Sequence, residues 1–545
     1  MNYDAIIIGS GMGGLTTASL LAQMKNRKVL VLERHGKLGG YTHTFKRQAK
    51  YKWDVGLHYV GNMRPGEQGR QVMDLVTGGL LDWAEMPEAY DVFQYPNFTV
   101  RLARSREGFL AAFLKVFPGE QAALESYMNA CEAAVNAMLP YLGDFLAPRF
   151  LRPLLRNLPT RGMRLAKQAT AQVLEKLVPN PHLRSALVSQ WGDYGLPPSQ
   201  SSFLIHAIVM RHYLQGAFYP VGGANRIAEA VKTVVEAKGG EFRTKAEVAE
   251  ILLNGEGRAR GVRLKDGTEF LAPVIVSDAG ARNTYLHLLP PTAAPEITAR
   301  MKNFEEGVSS VTLFLGLKAS PAALGVKGEN YWLFDRESHD EIYARRNRLA
   351  EGEVGMAYVS FPSLKDPECT EHLAEVVALL DLAPFQRWAS QPAKNRDQDY
   401  MALKKRISDA ILKFVEQRIP GLSELVSHAE LATPLSNVHY CAHPGGAAYG
   451  LPHTPARYAE SWARPTTPIP GLFLTGADAM SHGIMGAMMG GVLGIGAIEG
   501  VRTLGKVMSQ AAKPRAKGAG TSLSNAGPRA PAGMDTPASN PGASA

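Results

Sequence analysis

The stretch "YDAIIIGSGMGGLTTASLLA" (Tyr3–Ala22) decides the fold, because it combines an apolar strand, a glycine-rich turn and a helix. Gly9, Gly11 and Gly14 fit the pattern G-x-G-x-x-G in the context that a dinucleotide site requires, and Gly13 belongs to the same turn. The first glycine permits the tight turn, the second lets a pyrophosphate approach the backbone, and the third packs helix on strand. The helix N-terminus then offers free N–H groups to the phosphates.

The second strand, "KVLVLE", identifies the dinucleotide further. It ends at Glu33, 19 positions after Gly14, where a carboxylate would hold ribose hydroxyls, and Arg34 follows it. Gly39 and Gly40 come next and predict another close approach of the backbone, typical of flavoproteins that bind FAD in an extended form. The chain has no second G-x-G-x-x-G, so no dedicated NAD(P) domain is expected. We therefore predict FAD as the cofactor, with NAD(P)H at most a transient reductant.

Length and composition set the broad class of the protein. A chain of 545 residues with 45% hydrophobic and 20% charged residues is globular and long enough for two or more domains. Its three cysteines are far apart and form no C-x-x-C, so we predict neither disulfides nor a metal site. The N-terminus lacks the basic and apolar regions of a secretory signal, which favours a cytoplasmic location.

The remaining segments predict an α/β fold in which the flavin domain is discontinuous. We expect a Rossmann-like FAD-binding domain from residues 1–61, 216–300 and 430–508, including hairpins that turn at Asn254–Gly255 and Asp266–Gly267. Residues 62–215 and 301–429 would form an α+β substrate domain, a mixed sheet plus helices. In it "EQAALESYMNACEAAVNAMLPYL" reads as a helix and "SSVTLFLGLKA" as a strand lining a cavity. Residues 509–545 are predicted to be a disordered tail.

The segment "GLFLTGADAMSHGIMGAMMGGVLGIGAIEG" predicts the last part of the flavin site. A strand ends near Gly476 and Asp478, and a glycine-rich helix that contains Gly486 follows. The helix N-terminus would point at the flavin pyrimidine ring, where negative charge develops on reduction. For Asp478 we favour a contact with the ribityl chain; the alternative is a helix cap.

Seven motifs together resemble one known family. They are "LERHGKLGGYTHTF", "WDVGLHYVGNM", "WGDYGLPPSQSSF", "HYLQGAFYPVGGANRIAEA", "YVSFPSLKDP", "TPLSNVHY" and "LFLTGADAMSHGIMGAMMGG". In this order, from about residue 3 to residue 500, they resemble the retinol saturase family, and more broadly carotenoid isomerases and phytoene-desaturase-type flavoproteins. The resemblance implies an FAD enzyme that acts on a long apolar polyene.

The same resemblance assigns roles to single residues. It implies that Gly9, Gly11, Gly14, Glu33, Gly39 and Gly40 bind FAD, with Val248 beside the adenine and Asp478 beside the ribityl chain. The chain also departs from the family pattern. Tyr41–Thr42 replaces a cysteine pair, Gly445 stands where an arginine is expected, and "TGADAMSH" places Ala477 and His482 near the flavin. These positions are where substrate choice is made.

The stretch "YKWDVGLHYVG" (Tyr51–Gly61) is predicted to run as a strand from the flavin domain into the substrate cavity. Gly56 would leave room above the isoalloxazine, and His58 and Tyr59 would face opposite sides, so that only one of them reaches the cavity. The candidate proton donors are His58, Tyr440 and His482, with His439 and His443 as further candidates. A buried core histidine is the alternative for His58.

Three reactions remain open on the sequence alone: saturation by hydride transfer from reduced flavin, cis–trans isomerisation, and desaturation by oxidised flavin. The rival functions are an amine-oxidase-like enzyme and a non-catalytic flavin-binding protein.

The predicted partner is an apolar polyene or isoprenoid substrate. The electron donor or acceptor is left open. No nucleic acid is expected, because no motif that reads nucleic acid accompanies the basic residues. The segment Phe145–Lys167 carries six Arg or Lys and no acid, which favours a peripheral membrane contact.

Overall fold

The computed structural model describes residues 3–138, 142–143, 160–393, 395–460 and 462–513. Most of Phe145–Lys167, the segment predicted to touch a membrane, lies outside the described residues. Its last part is helical over Arg161–Ala166. A Cβ added to Gly162 would lie 2.0 Å from the carbonyl oxygen of Ala133, so this short helix packs closely on a neighbouring one.

A five-stranded parallel sheet carries the glycine turn. Its strands come from three separate parts of the chain, which confirms the predicted Rossmann-like and discontinuous fold. In spatial order they are Glu241–Thr244, Val29–Glu33, Ala5–Ile8, Val274–Ser277 and Leu472–Leu474. The strand Ala5–Ile8 is buried along its whole length, as expected for a parallel sheet covered on both faces.

Glycine-rich helices cover this sheet at close range. The helix Met12–Lys25 follows the glycine turn, and the helix Gly483–Glu499 crosses it. A Cβ on Gly491 would lie 2.7 Å from Cβ of Thr16, so only a residue without a side chain permits this approach. A third helix, Asn225–Glu236, packs on the helix Met12–Lys25. The two predicted hairpins are also present, and they are formed by the strands Val248–Leu253, Ala259–Leu264 and Glu269–Leu271.

A seven-stranded mixed sheet forms the second layer. In spatial order its strands are Val426–Ala432, Ser310–Leu317, Leu373–Leu379, Met356–Ser360, Asn330–Phe334, Ala89–Gln94 and Thr99–Ala103. All neighbouring strands are antiparallel except Ala89–Gln94 and Asn330–Phe334. The predicted strand "SSVTLFLGLKA" is therefore confirmed, in the sheet with the largest number of strands.

Helices on both layers complete the core. The predicted helix in "EQAALESYMNACEAAVNAMLPYL" is confirmed as Gln121–Asn136, and it packs on Phe203–Tyr213. Within the described part of the chain, the other helices of eight or more residues are Gln68–Val76, Arg106–Val116, Thr170–Leu177, Pro295–Asn303, Gln398–Glu416, Pro434–Cys441 and Val501–Ala511. The last of these continues past Ser509, where the tail was predicted to begin; residues 514–545 lie outside the described part.

The stretch Tyr51–Gly61 is not one continuous strand. It consists of Tyr51–Asp54, paired with Thr44–Arg47, and the short Val60–Gly61, with irregular backbone between them. Asp54 ends the first strand, and its buried Oδ1 accepts a hydrogen bond of 2.9 Å from the N–H of Ala224.

No helix within the described ranges is both long enough and apolar enough to cross a membrane.

Candidate active site

A cavity of about 690 Å³ lies between the parallel sheet and the mixed sheet. This volume is in the usual range for a buried ligand site. At one end the wall comes from the glycine turn and the strands that follow it. At the other end Ser310, Thr312 and Val377 of the mixed sheet form the wall, which confirms that the strand Ser310–Leu317 lines a cavity.

The glycines of the turn divide into two groups. Gly9 and Gly11 lie on the cavity wall, and Gly9 has a φ of +97°, which a residue with a side chain rarely adopts. Gly13 and Gly14 lie behind the wall and allow close packing. A Cβ on Gly14 would be 2.4 Å from the carbonyl oxygen of Gly9, and one on Gly13 would be 2.3 Å from the backbone nitrogen of Gly476.

The N-terminus of the helix Met12–Lys25 lies at the cavity. Gly11 occupies the N-cap position and has no side chain to cap the helix, and the carboxyl of Asp278 lies beside the N–H groups of Gly11 and Gly14. The remaining N–H groups of the first turn can bind an anion.

Glu33 is buried at the end of its strand and faces this turn. Its Oε2 accepts hydrogen bonds from the N–H and the hydroxyl of Ser10, at 2.9 and 2.6 Å, and its Oε1 accepts one of 2.7 Å from the N–H of His35. A carboxylate has about four lone-pair positions, so capacity for ribose hydroxyls remains. Arg34 and Val248 lie on the same wall.

Gly39 and Gly40 line the cavity beside the turn, and Gly40 packs against Gly11, since a Cβ on Gly40 would be 3.1 Å from the Cα of Gly11. Gly56 is also on the wall, and its nearest neighbour is the ring of Tyr41 at 3.1 Å from the position of a Cβ.

Asp478 joins two loops at the cavity. Its Oδ2 accepts a 2.7 Å hydrogen bond from the N–H of Ala281, and its Oδ1 accepts one of 2.7 Å from the N–H of Leu451. It lies on the wall, whereas Gly476 and Gly486 lie behind it. A Cβ on Gly486 would be 2.3 Å from the carbonyl oxygen of Ser481, so this glycine serves helix packing.

Asp278 is a site residue that the sequence analysis missed. It follows the strand Val274–Ser277 and is on the cavity wall, with Oδ2 at 2.5 Å from the position of a Cβ on Gly11. Among the described residues this buried Oδ2 has no hydrogen-bond partner. Burial raises the pKa of the Asp278 carboxyl to about 8, so at neutral pH it is a neutral acid that can donate a hydrogen bond.

These residues fit FAD. A helix N-terminus at the cavity, a glycine cradle that any Cβ would fill and a carboxylate at the ribose position are the features that a dinucleotide requires.

The three predicted proton donors all line the cavity, but their ring or hydroxyl groups are held differently. His58 has its Nδ1 at 2.8 Å from Oε2 of Glu375, while its Nε2 has no hydrogen-bond partner among the described residues. Tyr59 points the other way, into the helical core, so the prediction that only one of the two reaches the cavity is confirmed.

His482 has both ring nitrogens directed at backbone carbonyls. Nε2 is 2.9 Å from the oxygen of Leu451 and Nδ1 is 3.3 Å from that of Tyr194. Its ring stacks on Tyr449 with centroids 5.0 Å apart. This histidine therefore has no free nitrogen to present to a substrate, and burial lowers its pKa to about 3.

Tyr440 lies at the rim and is 39% exposed. Of the two further candidates, His443 lines the cavity, with Nδ1 at 2.9 Å from the carbonyl oxygen of Ala447, and His439 is an exposed residue that is not on the wall.

The comparisons with known proteins agree with this architecture. The family model described as "Flavin containing amine oxidoreductase" matches residues 12–494. The chain therefore belongs to the flavin-containing amine oxidoreductase family, and within it to the group of the retinol saturases. All-trans-retinol 13,14-reductase of Danio rerio is 34% identical over 90% of this chain and 84% of that protein.

Two further comparisons extend the family. Chloroplastic prolycopene isomerase of Arabidopsis thaliana is 27% identical over 90% of this chain and 82% of its own length. A solved structure of putrescine oxidase bound to putrescine superposes with a TM-score of 0.61 at 14% identity, covering 93% of this chain and 99% of that one. The last comparison shows the fold. The protein is an FAD-dependent oxidoreductase.

Proposed function

We propose that this enzyme saturates a carbon–carbon double bond of a retinoid, a carotenoid or a related apolar polyene. The observation that carries the proposal is the cavity that connects the glycine turn with the mixed sheet and is lined by His58, whose Nε2 has no hydrogen-bond partner among the described residues. The similarity to an all-trans-retinol 13,14-reductase and to a prolycopene isomerase supports a polyene as substrate.

The residues proposed to hold FAD are those that surround the turn. Gly9, Gly11, Gly13 and Gly14 would form the pyrophosphate loop, and Glu33 would bind the ribose. The rest of the proposed cofactor site consists of Arg34, Gly39, Gly40, Gly56, Val248 and Asp478. Gly476 and Gly486, also predicted to bind the cofactor, would shape the site from behind its wall. When bound and reduced, FAD supplies a hydride to one carbon of the double bond.

The second carbon requires a proton, and His58 is the proposed donor. His58 lines the cavity, and Glu375 holds the ring at Nδ1, so that a proton on Nε2 would be available to the substrate. His482 and Tyr440, also predicted as catalytic, would have supporting positions: His482 as part of the wall and Tyr440 at the rim.

Two further parts of the proposal concern the partners. NAD(P)H is a proposed transient reductant, since the chain has one G-x-G-x-x-G only. We further propose that the enzyme is cytoplasmic and contacts membranes peripherally through Phe145–Lys167, whose six basic side chains and absent acids suit an anionic lipid surface.

An anaerobic single turnover tests the reaction. Dithionite-reduced holoprotein is mixed with retinoids and carotenes, and the products are separated by chromatography and weighed by mass spectrometry. A gain of two hydrogens supports the proposal. An unchanged mass at a new retention time indicates isomerisation, and loss of two hydrogens with oxidised enzyme indicates desaturation. No reaction in either state would contradict the polyene proposal.

A further inference from the structure

The buried side chains behind His58 suggest how it obtains its proton. Glu375 lies on the strand Leu373–Leu379, two positions before the cavity-lining Val377, so both side chains are on the same face of the sheet. The Glu375 side chain is completely buried, whereas that of His58 is 17% exposed, on the side of the cavity. The pair thus connects the interior of the protein with the cavity.

We propose that Glu375 stores the proton for the reaction and passes it to the substrate through the ring of His58. This role rests on the proposed saturation. Glu375 is a positioning and proton-storing residue, and His58 is the group that touches the substrate.

The hydrogen bonds indicate where the proton is held. Oε1 of Glu375 is buried without a hydrogen-bond partner among the described residues, and an ionised carboxyl in that position would be costly. The neutral acid removes this cost, because its O–H on Oε2 can donate to Nδ1 of His58 at 2.8 Å. The imidazole is then neutral, with its own proton on Nε2, directed at the cavity.

The titration of the groups agrees with this assignment. Burial raises the pKa of Glu375 to about 8, while Lys365 and the backbone of Asp54 act to lower it. Burial, followed by the charge of Lys365, lowers the pKa of His58 to about 3. At neutral pH the proton is therefore on the glutamate.

Transfer then requires two protons to move along the pair. The Nε2–H bond breaks as a C–H bond forms on the substrate, and the O–H proton of Glu375 passes to Nδ1. The histidine remains neutral with its proton on the other nitrogen, and Glu375 becomes a carboxylate. The hydride supplies the two electrons, so the product gains one hydride and one proton.

Other groups around His58 and Glu375 would stabilise the carboxylate that Glu375 becomes after the transfer. Nζ of Lys365 donates hydrogen bonds to the backbone oxygen of His58 at 2.9 Å and to Oγ of Ser360 at 2.8 Å. Three further titratable groups interact electrostatically with Glu375 or His58: Asp54, Tyr219 and Tyr358. Burial lowers the pKa of Lys365 to about 7, and the protonated form of this lysine would stabilise the carboxylate.

The test is a pH series of anaerobic single turnovers with reduced holoprotein and a polyene that the wild type saturates. The rate constant of the wild type should fall about tenfold per pH unit above about 8, as Glu375 loses its proton. Glu375→Gln keeps a hydrogen bond to Nδ1 but stores no proton, so its rate constant should fall about 100-fold or more and lose this alkaline decline. Glu375→Asp should retain part of the rate and the decline.

A matched control uses Glu329, which is buried beside another strand of the same sheet and accepts a 2.8 Å hydrogen bond from the hydroxyl of Tyr331. Glu329→Gln should keep the wild-type pH profile. FAD affinity and the rate at which oxygen reoxidises the flavin should be unchanged in Glu375→Gln, which separates proton supply from structural damage.

Each outcome decides between the two proposals. If the wild type saturates a polyene and Glu375→Gln behaves like Glu329→Gln, the role of Glu375 is overturned while the proposed function stands. If Glu375→Gln does not retain FAD, the pH dependence of the wild-type rate constant tests the role of Glu375 instead. A wild-type rate constant that is independent of pH between 6.5 and about 9 contradicts proton storage at this carboxyl. If no polyene reacts with the wild type, the proposed function fails and the role of Glu375 with it.

Discussion

His58 and Glu375 are 317 positions apart in the chain, and their side chains meet at 2.8 Å between Nδ1 and Oε2. The histidine follows the hairpin Thr44–Arg47 and Tyr51–Asp54, which packs on the mixed sheet, and the glutamate lies in that sheet. Their contact therefore fixes the ring of His58 against the mixed sheet at the wall of the cavity.

Replacing His58 should remove the proton donor without removing the flavin. We expect His58→Asn to bind FAD normally and to saturate its polyene about 100-fold or more slowly in single turnovers. His182→Asn is a matched control, because His182 also pairs with a glutamate, Glu337, but on the protein surface. Equal rates for wild type and His58→Asn would show that another group donates the proton.

The carboxyl of Asp278 should make FAD binding depend on pH. Burial raises its pKa to about 8, so it is neutral below that value and negative above it, beside the turn proposed to hold the phosphates. Wild-type affinity for FAD should therefore weaken as pH rises from about 7 to about 9, by up to about tenfold per unit above the pKa. Asp278→Asn should remove most of this dependence.

Flavin fluorescence during titration of the apoprotein measures that affinity. Asp266→Asn, in an exposed hairpin turn, provides the control and should follow the wild type. Parallel curves for wild type and Asp278→Asn would contradict the assignment.

Two glycines in helices should respond oppositely to alanine. In the helix Gly483–Glu499 a Cβ on Gly490 would lie 2.3 Å from the carbonyl oxygen of Gly476, so Gly490→Ala should destabilise the fold by about 1–3 kcal/mol. In the helix Val501–Ala511 a Cβ on Gly505 meets nothing within 4 Å, so Gly505→Ala should stabilise it by about 0.5–1 kcal/mol. Urea unfolding of both variants, in the presence of FAD, measures the difference, and shifts of the same sign would refute the packing argument.

His339 should couple stability to acid. Its Nδ1 accepts a 2.8 Å hydrogen bond from Nε1 of Trp191, and burial lowers its pKa from 6.5 to about 4. Because the folded state disfavours the protonated histidine, this residue does not reduce the free energy of unfolding at pH values above its pKa in the unfolded state. The free energy of unfolding then falls as the pH drops toward the pKa of the folded state. Relative to His339→Gln, the wild type should thus lose up to about 1.4 kcal/mol per pH unit below about 6.5.

Unfolding free energies at several pH values between those two pKa values test this, with the exposed His182→Gln as a control. A constant difference between wild type and His339→Gln across this range would mean that His339 does not titrate as described.

The sequence predicted those features of the fold that residues close together in the chain determine. The turn from Gly9 to Gly14 and the strand ending at Glu33 are local patterns, and the hairpins around Asn254–Gly255 and Asp266–Gly267 are set by their own turn residues. The cavity wall in "SSVTLFLGLKA" was also predictable, because alternating polar and apolar residues mark a strand with two different faces.

Residues that act through distant partners could not be identified in this way. Glu375 sits in the apolar run "LAEVVAL", and Asp278 directly follows "VIVS". An isolated acid inside or at the end of a buried strand is the available signal, since such a carboxyl must be neutral or paired. Its partner, however, depends on the tertiary fold. The contact of Asp54 with Ala224, at the end of the first strand in Tyr51–Gly61, likewise depends on the tertiary fold.

The most direct measurement of the central claim follows flavin and polyene together in an anaerobic stopped-flow experiment. Reduced holoprotein is mixed with a polyene, and the absorbance of oxidised flavin and that of the conjugated polyene are recorded at the same time. We predict that flavin oxidation and loss of conjugation occur with one rate constant and in equal amounts. A polyene band that changes while the flavin remains reduced, or a flavin that stays reduced with the polyene unchanged, would contradict saturation by hydride transfer in this cavity.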